Sequence, residues 1–104
     1  MNPHLGKINE IADGDVFFKN KMIAVLKNEF PKERELYFNL IQNKNYIETA
    51  EIVHKLKHKI NLLGFVKGYE ITKDYEDELR NNKPTLKTDF EAILNIINNF
   101  LTTI

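Results

Sequence analysis

The sequence predicts an all-α protein: an antiparallel up-down four-helix bundle with a short N-terminal lid helix. Apolar residues recur at steps of three and four almost throughout, the spacing of one helix face, and strand-type alternation is missing. Glycine and proline number only four and three. They fall at segment edges (Gly6, Gly14, Gly64, Gly68, Pro3, Pro31, Pro84), with no Gly/Ser linker or repeat between them. A chain of 104 residues has the length of one domain and buries roughly 60–70 % of its unfolded surface. Residues 1–104 are therefore expected to form one domain around one core.

The elements follow in order. A short helix is expected near residues 5–12, then a turn at Asp13-Gly14. Asp15 is a good N-cap for the next helix, whose stripe runs Phe18, Met22, Val25, Leu26, Phe30 and continues in phase through Leu36, Tyr37, Leu40 and Ile41. Pro31 lies between the two stretches. It cannot donate to the carbonyl of Lys27, so a kink or break is expected there. Asn45-Tyr46-Ile47-Glu48 reads as a capping box for a helix that ends at Gly64, a residue suited to the left-handed stop. Another helix spans Phe65 to about Asn82, with Ile71, Tyr75 and Leu79 inward. Thr88-Asp89-Phe90-Glu91 fits a second capping box, and the last helix carries Phe90, Ile93, Leu94, Ile97, Leu101 and Ile104 inward. Four amphipathic helices joined by short loops bury their stripes by pairing antiparallel. Phe17, Phe18, Phe30, Phe38 and Phe90 read as core, and the acidic run Asp74–Glu78 as solvent-facing apart from Tyr75.

Composition narrows the function. There is no cysteine, which excludes a disulfide framework, a redox CxxC and a Cys-based zinc site. Fifteen Lys and Arg balance fifteen Asp and Glu, which argues against a general nucleic-acid or membrane-surface binder. The first residues lack the basic and apolar regions of a signal peptide, and no run nears the ~18 apolar residues of a membrane span. A soluble cytoplasmic protein is expected.

The chemistry lies between Ala50 and Gly64. At about 100° per residue, Ile52, Val53, Leu56, Ile60 and Leu63 share one face of the helix. His54 lies nearly opposite, with Lys57, His58 and Asn61 on the same side one and two turns along. Lys55 and Lys59 widen the basic patch, and no acid stands between Ile52 and Val66. A solvated imidazole is partly neutral at physiological pH. Neighbouring cations disfavour its protonated form and steady incoming negative charge. Phosphoryl transfer needs mostly positioning and charge neutralisation, so His54 with Lys57 makes a minimal acceptor. Without a nucleotide loop or metal carboxylates it can carry a phosphoryl group but not draw one from ATP.

These residues carry a resemblance. His54-Lys55-Leu56-Lys57, with Gly64 ten residues after the histidine, resembles the signature of histidine phosphotransfer (HPt) domains: His-x-Leu-Lys-Gly, a later glycine at the same offset, and Ala and apolar residues before it. Asp15, Phe17, Phe18 and Phe30 are similar to the family's first long helix, and Tyr75-Glu76 stands where the family often has Leu-Glu. The resemblance covers residues 5–103. It implies a phosphorelay carrier without kinase activity of its own. By the family pattern His54 accepts a phosphoryl group, on Nε2, from the aspartate of a receiver domain and passes it to another. Lys57 would help hold the phosphoryl oxygens, and the receiver supplies Mg²⁺. The partners implied are receiver domains of response regulators or hybrid histidine kinases, docking around residues 50–68, with Lys55, His58, Asn61 and Gly64 as candidate docking residues. The chain departs from the pattern at His58, where the family has glycine.

Other readings are blander. His54 and His58 at i, i+4 could clip a metal, but a structural zinc needs about four ligands and nothing nearby supplies the rest, so no cofactor or metal is expected. His4 falls in a terminus expected to fray. A module that docks receivers without taking phosphate is the alternative function, motivated by His58. Ile96 and Phe100 broaden the last helix's stripe, as a helical dimer would use, although a monomer is expected.

Overall fold

The computed structural model describes residues 2–104. Among these, five helices and no strands form a compact helical bundle: α1 (Gly6–Ala12), α2 (Val16–Gln42), α3 (Tyr46–Leu62), α4 (Val66–Arg80) and α5 (Lys87–Leu101). The body measures 44 × 23 × 19 Å. Its long axis is set by the 27 residues of α2, which rise roughly 40 Å. No helix is long and apolar enough to cross a membrane.

The turns follow their local chemistry. Asp13 ends α1 in the left-handed region at φ 48° and Gly14 follows at φ 85°. Asp15 then caps α2, its carboxylate accepting from the amide of Phe18 at 3.0 Å. Leu63 ends α3, and Gly64 at φ 66° turns the chain into α4. Pro31 neither breaks α2 nor shortens it, and the helix runs through. Pro31 and Lys27 both lie on the exposed side, where water replaces the one missing backbone bond.

Neither expected capping box forms. Asn45 makes no side-chain cap bond; instead the hydroxyl of Thr49 donates back to the Asn45 carbonyl at 2.7 Å. At α5 the helix begins one residue ahead of Thr88. Its start is capped from α4, where Glu78 accepts from the amide of Leu86 at 2.9 Å and from the hydroxyl of Thr85. A carboxylate arriving from a neighbouring helix satisfies the same orphan amides that a local cap would.

Helix α3 packs against α2 and α4, α5 against α4 and α2, and α1 against α2. One apolar cluster joins them. It contains Ile8 of α1, Leu26, Phe30 and Tyr37 of α2, Leu56 and Ile60 of α3, Leu79 of α4, and Phe90, Leu94 and Ile97 of α5. At its centre the rings of Tyr37 and Tyr75 lie 5.0 and 4.9 Å from that of Phe90. Their hydroxyls share a 2.8 Å hydrogen bond, and Tyr37 also meets Glu91 at 3.0 Å. Burial pushes both phenols up, Tyr75 to about 12.

The inward stripe of α2 is shorter than its sequence suggests. Phe30, Leu26, Tyr37 and Ile41 are buried, but Phe18, Val25 and Leu36 are exposed and Phe17 is 80 % exposed. The 15-residue helices α4 and α5 rise only about 22 Å each, so they cannot cover the whole length of α2. Near its first turns lie the seven residues of α1 and the end of α3, where Leu62 lines an open groove with Phe18 and Met22.

Candidate functional site

Helix α3 turns its apolar stripe inward as the sequence requires, with Val53, Leu56 and Ile60 completely buried. That orientation sends His54 outward, its side chain 47 % exposed. His54 is nevertheless held. Its Nδ1 lies 3.2 and 3.1 Å from the two carboxylate oxygens of Glu76 on α4. An ionised carboxylate only accepts, so Nδ1 carries the proton and donates. In the neutral ring, Nε2 then keeps the lone pair.

Glu76 gathers more than the imidazole. Its side chain is 9 % exposed and lies 3.0 Å from Lys57 Nζ and 3.1 Å from the Arg80 guanidinium. Burial alone pushes its carboxyl up. The hydrogen bonds from Lys57, Arg80 and His54, with the charge of Lys57, outweigh that and hold it below its ordinary range. Glu76 is therefore ionised near neutral pH. The acidic run around Tyr75 was expected to face solvent, and at Glu76 that expectation is corrected. Thr72, Tyr75, Glu76 and Leu79 are all buried, and their i, i+3, i+4 spacing was the signal that Glu76 shares the inward stripe.

The exposed basic patch is also corrected. Lys57 is 15 % exposed and paired with Glu76. Lys59 is 14 % exposed and paired at 3.0 and 2.9 Å with Glu29 and Glu33 of α2. No acid interrupts the run from His54 to Lys59, yet α2 and α4 bring three carboxylates to it. Desolvation lowers Lys59, but these two partners outweigh it and leave the ammonium above its ordinary range. The group beside the His54 ring is thus a carboxylate bridging it to Lys57, not a bare field of cations.

The remaining candidates divide. His58 is exposed and lies on the site, its Nε2 3.1 Å from Nε2 of His54 with the rings at 88°. Since His54 donates through Nδ1, His58 is the donor in this contact. Asn61 is turned to a different task, its Oδ1 accepting from Lys7 of α1 at 3.0 Å. Lys55 lines a groove with Leu36, Leu40 and Glu51 between α2 and α3, on the side of the helix away from Glu76. Gly64 is half-buried under His4. A Cβ there would lie 2.5 Å from the His4 Nε2. His4 itself is not frayed: its amide donates to the Leu63 carbonyl at 2.8 Å, and its Nδ1 accepts from the Gly6 amide at 3.1 Å. Beside His58, a groove of about 410 Å³ opens between Phe18, Met22, Val25, Leu26 and Leu62.

The arrangement can orient one imidazole, keep its outer nitrogen nucleophilic and neutralise the positive charge that the ring gains on reacting there. No protein-family model, curated protein or solved structure matches the chain.

Proposed function

We propose that this protein is a phosphoryl carrier of the histidine phosphotransfer kind, in which His54 accepts a phosphoryl group from a receiver-domain aspartyl phosphate and passes it to a second receiver. The observation that carries the reading is the exposed His54 ring pinned through Nδ1 by the buried Glu76 carboxylate at 3.1 Å. In this reading the four long helices form an up-down bundle, α1 acts as its lid, and residues 1–104 make one domain. The three-residue connection Asn43–Asn45, between the end of α2 and the start of α3, supports antiparallel neighbours. The resemblance of His54-Lys55-Leu56-Lys57 and Gly64 to the family signature supports it further.

The chemistry follows from the geometry. The Nε2 lone pair attacks phosphorus, the bond from phosphorus to the aspartyl oxygen breaks, and the aspartate leaves as a carboxylate. The ring then holds phosphoryl on Nε2 and a proton on Nδ1, and Glu76 offsets its positive charge. Lys57, already bound to Glu76, lies one turn from the acceptor, where its ammonium can also meet phosphoryl oxygens. The protein is a stoichiometric carrier without kinase activity, acting as a monomer in the cytoplasm, and Mg²⁺ belongs to the receiver. The apolar groove beside His58 supports a protein partner more than a nucleic acid or membrane.

The test is transfer of label from a phosphorylated receiver to the purified protein. Wild type takes acid-labile, base-stable label and His54→Gln takes none; equal labelling of the two would overturn the assignment. A second reading has one observation in its favour. His58 covers the nitrogen that must react, as it would in a module that docks receivers without accepting phosphate. Tight receiver binding without label transfer is its signature.

A further inference from the structure

His54 and His58 stand one turn apart on the outward side of α3, and their Nε2 atoms are 3.1 Å from each other. Two nitrogens each about 2.0–2.1 Å from one ion lie roughly 2.9 Å apart at a right angle and roughly 3.4 Å apart at the tetrahedral angle. The observed separation falls between these limits, and the helix keeps the two Cβ atoms one turn apart on one face. A supporting layer is also in place. His54 donates its Nδ1 proton to Glu76, the carboxylate–histidine arrangement that leaves Nε2 as the metal-binding nitrogen. Lys57 and Arg80 engage the same carboxylate, so Glu76 orients the ring rather than serving as a ligand. Among the described residues no group of three or more His, Asp or Glu side chains could hold a metal. The remaining positions on an ion at the pair are therefore filled by water.

From this we infer that His54 and His58 form an open two-imidazole chelate for a late first-row divalent cation, Cu²⁺ or Zn²⁺, and that the bound ion occupies the nitrogen needed for phosphoryl acceptance. The chelate stands on geometry alone, while its regulatory consequence rests on the phosphoryl-carrier reading. Imidazole donors suit copper, nickel and zinc, whereas Mg²⁺ demands oxygen ligands. The Mg²⁺ of a docked receiver therefore does not compete. The proton balance is simple. His54 already presents a bare Nε2; His58 gives up its Nε2 proton and carries one on Nδ1 instead, by exchange with water. Because the His58 ring is exposed, a small rotation turns the two nitrogens from head-on to convergent.

The test is a calorimetric titration of the whole protein with Cu²⁺, Zn²⁺ and Mg²⁺ salts, with circular dichroism to verify that each variant is folded. One ion binds per chain, Cu²⁺ more tightly than Zn²⁺, and Mg²⁺ does not bind. His58→Asn and His54→Gln each weaken Cu²⁺ by at least tenfold on the scale of lost ligation, and Glu76→Gln weakens it by about 10–100-fold. Absence of Cu²⁺ and Zn²⁺ binding, or binding that His58→Asn leaves unchanged, overturns the chelate. The blocking claim is read separately, by carbethoxylation of His54 followed by mass spectrometry. One equivalent of Zn²⁺ suppresses the reaction in wild type and not in His58→Asn; equal reaction with and without Zn²⁺ overturns blocking. If the metal-free protein takes no label from a phosphorylated receiver while the titration behaves as stated, the carrier reading fails and the chelate stands.

Discussion

Glu76→Gln removes one negative charge and keeps the shape of the side chain. In the native protein that carboxylate meets His54 at 3.1 Å, Lys57 at 3.0 Å and Arg80 at 3.1 Å. Breaking a fully buried pair by deleting one partner costs about 3–5 kcal/mol. Lys57 keeps 15 % of its exposure and Arg80 44 %, and water screens what they lose. A cost near 2 kcal/mol is therefore expected. For a domain of this length, that lowers the thermal midpoint by roughly 8–16 °C. The pH dependence gives a second check. The folded carboxyl titrates below its ordinary 4.5, and a lowered folded value contributes stability that is present above the unfolded value and lost as pH falls through the folded one. The gap between wild type and variant is thus complete at neutral pH and closes as pH falls below 4.5. Urea unfolding followed by far-ultraviolet circular dichroism, over a series of pH values, measures that gap. A neutral-pH gap under about 0.5 kcal/mol, the scale of ordinary surface substitutions, would refute the reasoning, as would a gap of equal size in acid.

Two further outcomes follow from the packing. Gly64→Ala puts a Cβ at a residue with φ 66° and 2.5 Å from the ring of His4, an exposed side chain that can swing aside, so thermal melts should show a loss set mainly by the ~1–2 kcal/mol of left-handed strain; the same loss in a His4→Ala background would show that the ring contact adds little. Tyr37 and Tyr75 are both raised above the ordinary phenol value of 10.0 by burial. Their contribution to stability is therefore complete below 10.0 and is lost as pH rises toward the folded value of about 12 for Tyr75. Ultraviolet titration should find these two phenols ionising only as the protein unfolds, and Tyr37→Phe should cost about 1–2 kcal/mol by unpairing the Tyr75 hydroxyl.

The helices were legible because their signals are local. Asp15, Gly64 and the apolar stripe of α5 each act within a few residues of where they stand, and the structure keeps all three. The outward placement of His54 was legible for the same reason, since the positions of Val53, Leu56 and Ile60 on one helix decide it. What failed to show was everything decided between helices. Glu76 reads as one acid in a solvated run until α3 brings His54 and Lys57 to it from 22 and 19 positions away. Lys59 reads as exposed until Glu29 and Glu33 arrive from α2. Thr88 looks like the cap of α5, yet Glu78 reaches the preceding turn first. Phe17 and Phe18 fit an apolar stripe, but Phe17 stays exposed and Phe18 only edges an open groove beside the end of α3. His4 looks terminal and loose, and the backbone of Leu63 and the bare Cα of Gly64 hold it in place.

Phosphoryl transfer turns on a single nitrogen. The protein is phosphorylated by a receiver in the presence of Mg²⁺, and long-range proton–nitrogen spectra of its imidazoles are recorded before and after. Phosphorus is expected to couple to Nε2 of His54 while Nδ1 of the same ring keeps its proton, and Glu76→Gln is expected to lose that pattern. Phosphorus on His58, phosphorus on Nδ1 of His54, or no phosphohistidine at all would contradict it.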